Sequence, residues 1–212
     1  MSSSSAGLVG SIELDSKRRA LLGKSAAAYG VAIMAALKPG YSSAAMSRAA
    51  GPFQVNAGES RDGAALEIDG QQFESVKISG HDVDGRLCAL VLTTPPDRSP
   101  PLHLHVAQNE WFFMLDGSIG VQCGEQRTVL RTGDSFLAPL GVPHAYVPLN
   151  GKAARILNVF DPAGEIEQFF TDYANVLNTP GHPDFHRLQV LSEQHGIKVL
   201  GPPLKAESFT GA

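Results

Sequence analysis

From about Phe53 onward, apolar and polar residues alternate in short runs, most of them bounded by Gly, Asp, Asn or Pro. Period-two alternation predicts strands, because successive side chains of a strand point to opposite faces. The runs predict strands near Ala65–Ile68, Phe73–Ile78, Leu87–Leu92, Leu102–Val106, Trp111–Leu115, Ile119–Cys123, Thr128–Leu130, Ser135–Ala138, Ala145–Val147 and Ile156–Phe160. Asp116-Gly117 and Cys123-Gly124 read as hairpin punctuation. Many short strands at close spacing predict an all-β body, a barrel or a sandwich. After Phe160 the period lengthens. Ile166, Phe169, Phe170, Tyr173, Val176 and Leu177 recur at helical spacing, opened by Asp161-Pro162 and Gly164 and ended by Thr179-Pro180-Gly181. A second short helix is expected from Pro183 to about Gln194. The Phe and Leu stripes of this region are expected to face the core. No internal repeat is visible, so one barrel is expected.

Residues 1–50 have another character. Ser16-Lys17-Arg18-Arg19 leads into a mostly small and apolar run from Leu21 to Leu37, closed by Ser43-Ala44-Ala45 and Ser47-Arg48-Ala49. Charge, apolar run and small-residue site, in that order, form the layout of an export signal. The pair Arg18-Arg19 resembles a twin-arginine signal. Lys17 and Leu21 depart from that pattern, and Lys24 interrupts the apolar run. The expectation is an exported, periplasmic protein. The alternative is a cytoplasmic one in which this stretch is an amphipathic helix packed on the barrel or on a partner subunit. The expected organisation is a signal-like segment over 1–50, a barrel over 51–162 and a helical tail over 163–212 packed on the barrel.

Charge narrows the partners. Residues 1–50 carry six Lys/Arg against two Asp/Glu, and the remainder carries 11 against 19. An acidic body argues against nucleic acid, whose phosphates need a basic face. Cys88 and Cys123 lie far apart with no C-x-x-C pairing. They read as two buried thiols, or as a disulfide if the protein is exported.

The chemistry concentrates in Pro100-Pro101-Leu102-His103-Leu104-His105-Val106-Ala107-Gln108-Asn109-Glu110. On a strand, His103 and His105 point the same way, about 7 Å apart, so both can converge on one ion. Glu110 opens the next run, where Glu110, Phe112 and Met114 share a face. A carboxylate beside imidazoles makes a mixed N/O site, suited to a divalent transition ion rather than Ca or Mg. Iron (Fe) is the first assignment, with Mn, Ni, Co, Cu or Zn as alternatives. A second block, Gly133-Asp134-Ser135-Phe136-Leu137-Ala138-Pro139-Leu140-Gly141-Val142-Pro143-His144, supplies a third imidazole. His81, His182, His186 and His195 lack a supporting pattern and are expected at the surface or in caps. Gly133-Asp134-Ser135-Phe136 also looks like the nucleophile block of GDSL-type hydrolases, but its place in the chain does not fit, and Ser135 reads as a strand residue.

Together the two blocks resemble the cupin motifs. The first reads His-x-His-x4-Glu-x6-Gly, ending at Gly117, and the second Gly-x5-Pro-x-Gly-x2-His, with fifteen residues between Gly117 and Gly133. Asp97 and Pro148 stand where those motifs carry Gly and Asn. The resemblance covers roughly residues 60–160. It implies a single-domain cupin: a jelly-roll barrel (double-stranded β-helix) with C-terminal helices, holding a metal on His103, His105, Glu110 and His144. Within the cupins, the Pro-Pro-Leu-His-x-His block before Glu110-Trp111-Phe112-Phe113, and the tail from Phe160 to Leu204, are similar to bacterial quercetin 2,3-dioxygenase-like proteins. That similarity implies O2-dependent ring cleavage of an enolic or phenolic substrate, and a homodimer. Glu110 is expected either to stay on the metal or to swing off it as the general base, and Phe112, Met114 and Tyr146 are the expected substrate pocket. The alternatives are a cupin isomerase or decarboxylase, and a binding cupin without turnover.

Overall fold

The computed structural model describes residues 51–96, 98–180 and 185–209. The signal-like segment, Asp97 and His182 lie outside them.

Among the described residues, thirteen strands follow in chain order. They are β1 (Glu59–Ser60), β2 (Gly63–Ala64), β3 (Leu66–Ile68), β4 (Gln71–Ile78), β5 (Cys88–Thr94), β6 (Pro101–His105), β7 (Asn109–Asp116), β8 (Ser118–Cys123), β9 (Gln126–Arg131), β10 (Ser135–Ala138), β11 (His144–Pro148), β12 (Ala154–Asp161) and β13 (Ile197–Pro203). Two helices, α1 (Ile166–Leu177) and α2 (Phe185–Gln194), stand between β12 and β13. β1 and β2 pair in a small two-stranded sheet, a second sheet has six strands in the order β10-β7-β12-β5-β4-β3, and a third has five in the order β13-β6-β11-β8-β9. All neighbours pair antiparallel.

Alternation along β7 and β12 drives the assembly. Glu110, Phe112 and Met114 are buried while Trp111, Phe113 and Leu115 are half-buried. Ala154, Ile156, Asn158 and Phe160 are buried on the neighbouring strand β12. The interior divides into two apolar clusters. Phe112, Met114, Ile119, Val121, Leu130 and Ile156 form one, drawn from both larger sheets. Leu90, Leu92, Phe160, Ile166, Phe169 and Phe170 form the other, drawn from strands and α1.

The all-β barrel with C-terminal helices is as expected, and the anticipated strands appear with ends shifted by a few residues. The tail is not wholly helical, however. Residues 197–203, given no strand by their pattern, form β13 along β6, with Val199 opposite His103 and Ile197 opposite His105. Gly201, Pro202 and Pro203 interrupt any strand pattern in this stretch. They are tolerated because β13 is an edge strand, where Pro forfeits no inner ladder bond.

Candidate metal centre

His103 and His105 lie on β6, His144 opens β11, and Glu110 is the second residue of β7. Across the β6–β11 pair, His144 stands opposite His103. Across β7–β12, Glu110 stands opposite Phe160. Three imidazoles therefore come from the five-stranded sheet and the carboxylate from the six-stranded one. The connecting turn at 106–108 is pinned on both sides. Gln108 Nε2 donates to Pro162 O at 3.2 Å and Ala163 O at 2.5 Å, and Gly141 N donates to His105 O at 2.8 Å.

One ligand-type atom from each of the four residues lies within 4.8 Å of the others. The ring centroids of His103 and His144 are 4.5 Å apart, and those of His105 and His144 are 5.6 Å apart. His103 Nδ1 lies 2.8 Å from Pro101 O and His144 Nδ1 lies 2.9 Å from Val142 O. A carbonyl accepts, so each Nδ1 carries the proton and each Nε2 is left for the centre. His144 Nε2 is 3.0 Å from Glu110 Oε2. His105 Nε2 lies 3.2 Å from that oxygen, but out of line for a hydrogen bond, and both His105 nitrogens are buried without a hydrogen-bond partner. Asn158 Nδ2 donates to Glu110 Oε1.

Burial pushes the Glu110 carboxyl up, but His105 and His144 beside it overturn that and hold it well below the usual carboxylate range. Burial pushes His144 down, and the hydrogen bond and charge of Glu110 carry it above its ordinary value. Burial, with His144 and His105 close by, pushes His103 down to about 3. The centre is thus a set of lone pairs around an ionised carboxylate, and it calls for positive charge. A proton on His144 supplies it locally, while a divalent ion would supply it to all four groups together. The orphaned nitrogens of His105 and the N3O donor set fit a first-row transition ion, held by His103, His105, His144 and Glu110.

A cavity of about 350 Å³ opens onto this cluster. His103, His105 and Glu110 border it, as do Phe73 and Phe160 from strands and Phe169, Phe170 and Tyr173 from α1. Tyr146 borders it too, with its hydroxyl 3.1 Å from Thr94 Oγ1. Burial pushes that phenol well above its ordinary range, so it stays neutral. Phe112 and Met114, expected in the pocket, do not border it. They point inward as their alternation required, but further along β7, where they pack with Ile119 and Val121. Parity along a strand gives the side and not the depth. The Phe stripe of α1, expected as plain core, walls the cavity as well.

Residues 90–160 match the family described as Cupin domain. This stretch is a cupin domain. A quercetin 2,3-dioxygenase from Bacillus subtilis (strain 168) is 22% identical to this cupin over 143 residues, 68% of the chain and 41% of that enzyme. Among solved structures, KdgF from Halomonas sp. superposes on 44% of the cupin, and on 81% of its own chain, at 18% identity and a TM-score of 0.40. TT1209 from Thermus thermophilus superposes on 46%, and on 91% of its own chain, at 21% identity and a TM-score of 0.40.

The cupin landmarks have physical reasons here. Gly117 adopts φ 81, and a Cβ there would meet Ala153 O at 2.8 Å. Pro148, standing in place of the motif's Asn, ends β11, and Asn150 (φ 59) and Gly151 (φ 62) make the turn beyond it. Asn158 was not foreseen as a site residue, although its parity between Ile156 and Phe160 places a polar side chain inward. Cys88 and Cys123 are free, buried thiols, and no disulfide joins them. His81 and His186 are exposed, and Ser135 is exposed on edge strand β10. His195 is not a surface residue. Its ring, 11% exposed, lies 3.2 Å from Glu165 Oε2 and 3.5 Å from Asp172 Oδ2, and ties the end of α2 to α1.

Proposed function

We propose that this cupin is a metal-dependent dioxygenase that opens an enolic or phenolic aromatic ring with O2. The observation that carries this reading is one cavity bordered by the His/Glu cluster and otherwise walled mainly by aromatic and aliphatic side chains. The 22% likeness to a quercetin 2,3-dioxygenase supports it. The bound ion, with iron first among the candidates, would acidify the substrate hydroxyl and give access to O2 chemistry. The aromatic walls take the flat ring and exclude water. Glu110 receives the hydroxyl proton at Oε2 while Asn158 keeps Oε1 in place. Pro101 O and Val142 O fix the rings of His103 and His144 through their Nδ1 atoms. Tyr146, neutral and paired with Thr94, shapes the cavity and takes no proton. Both atoms of O2 enter the product as the ring bond breaks, so the reaction needs no external reductant. A homodimer is part of the same reading. Its candidate surface is the outer face of the six-stranded sheet, where Trp111, Phe113, Leu157 and Val159 are half-buried and Leu137 is 53% exposed.

The test is oxygen uptake by Fe(II)-loaded protein against a panel of enolic and phenolic substrates. The expected outcome is O2 consumption matched to substrate loss, lost on metal removal and in His144→Ala. Substrate turnover or binding with no O2 consumed would sink the dioxygenase reading and favour an isomerase, a decarboxylase or a binding protein.

A further inference from the structure

The cavity has one cationic side chain on its wall. Among the described residues that border it, Arg98 is the single Lys or Arg, and Glu110 the single carboxylate. Several of the other polar lining groups are engaged, among them Gln189, whose Nε2 donates to Glu193 Oε1. Thr94 and Tyr146 bond each other, Ser192 Oγ donates to Leu188 O, and Ser99 Oγ donates to Tyr146 O. Arg98 stands on the solvent side. Its side chain is 33% exposed, and it also borders a shallower outer hollow that adds Lys205 and Glu207. Lys205 shares that outer hollow with Glu207, so in a body with 11 Lys/Arg against 19 Asp/Glu the cation that reaches the apolar cavity itself is Arg98.

Among the described residues, Arg98 makes one ion pair, Nη2 to Asp69 Oδ2 at 3.0 Å, and Asp69 is 72% exposed. An exposed pair of this kind contributes little to stability, so it leaves the guanidinium open to a competing carboxylate. Guanidinium presents five donors in a planar fork suited to carboxylate. An apolar cavity with metal-type ligands at its buried end and one such fork at its open end selects for a two-ended molecule.

We propose that Arg98 is a specificity residue, and that the substrate is an aromatic acid: a phenolic or enolic hydroxyl directed to the metal centre and a carboxylate, remote from it, paired with Arg98. This rests on the function proposed above.

The test uses the full chain loaded with redox-inert Zn(II), and titrates para-coumarate and its neutral amide by calorimetry. Wild type is expected to bind the acid roughly tenfold more tightly than the amide, as a charge-assisted hydrogen bond implies. Arg98→Gln is expected to lose that preference with amide affinity unchanged. Asp69→Asn, which frees the guanidinium, is expected to keep or raise it. An acid-to-amide ratio near one in wild type, no binding of the acid, or a preference that survives in Arg98→Gln overturns the proposal. Thermal melts of both variants confirm that they fold. An Arg98-dependent preference for the acid in a protein that consumes no O2 would leave this inference standing and remove the dioxygenase reading. O2 uptake without the preference would do the reverse.

Discussion

On one side of Glu110 the barrel interior is filled by Phe112, Met114, Ile119, Val121 and Ile156; on the other, Phe73, Phe160, Phe169 and Phe170 stand around a cavity of about 350 Å³. Strand β12 supplies both halves, Ile156 to one and Phe160 to the other, so the strand itself does not explain the difference. What covers them does. The filled half is closed by strands facing strands, with side chains that interdigitate. The open half is closed by α1, α2 and β13, whose side chains arrive from beyond the barrel and meet edge to face, as Phe73–Phe170 (5.8 Å) and Phe160–Phe170 (6.2 Å) do. Such ring pairs hold a wall in shape without filling the space behind it. The cavity is therefore made by the appended elements, and the ligands by the barrel.

The sharpest way to break this comparison is to truncate one ring in each half. Phe112→Ala should cost about 3–5 kcal/mol, because its neighbours cannot collapse into the gap. Phe169→Ala, already beside open space, should cost roughly half that. Chemical denaturation of both variants checks the ordering, and equal losses would mean that the open half is packed as densely as the filled one.

A smaller effect distinguishes the halves by pH. Glu74 is 2% exposed, and burial, with Glu167 nearby, raises its carboxyl from 4.5 to about 7. The folded state then holds that proton more tightly than the unfolded state. Stability contributed by the neutral acid is fully present below pH 4.5, falls as pH rises toward 7, and levels off above. Glu74→Gln should remove that slope and be more stable than wild type at pH 8 by about 3 kcal/mol. Unfolding curves at pH 5 and pH 8 decide it, and an unchanged slope in the variant would place the titration elsewhere.

The smallest expected effect lies at the boundary between the halves. Asn158→Ala removes the donor to Glu110 Oε1 and should weaken metal affinity roughly 10–100-fold while leaving all four ligands in place. Competition titration with a metal indicator measures it. Affinity equal to wild type would show that the two histidines alone position the carboxylate.

Much of this was legible in the chain. Period-two runs with turn residues between them gave the strands, and the helical stripe gave α1. The four ligand residues that the structure brings together were named by spacing and motif. Three things were not legible, each for a physical reason. β13 was hidden by its own Gly and Pro, which only an edge strand accepts. The depth of Phe112 and Met114 was hidden because alternation reports a side and not a position along the barrel. Asn158 was hidden because one polar residue in an apolar strand carries no motif, although its inward parity was an available signal.

Strand β13 has a consequence for the order of events during synthesis. All four candidate ligands leave the ribosome before residue 197 is made, yet the backbone that flanks His103 and His105 on their outer edge belongs to residues 197–203. Until those residues arrive, β6 is an unpaired margin of its sheet, and a cation captured early would sit in a half-built vessel. Closure of the wall thus waits on residues 197–203, and a chain cut short ahead of Ile197 would expose its metal-type residues along an open seam.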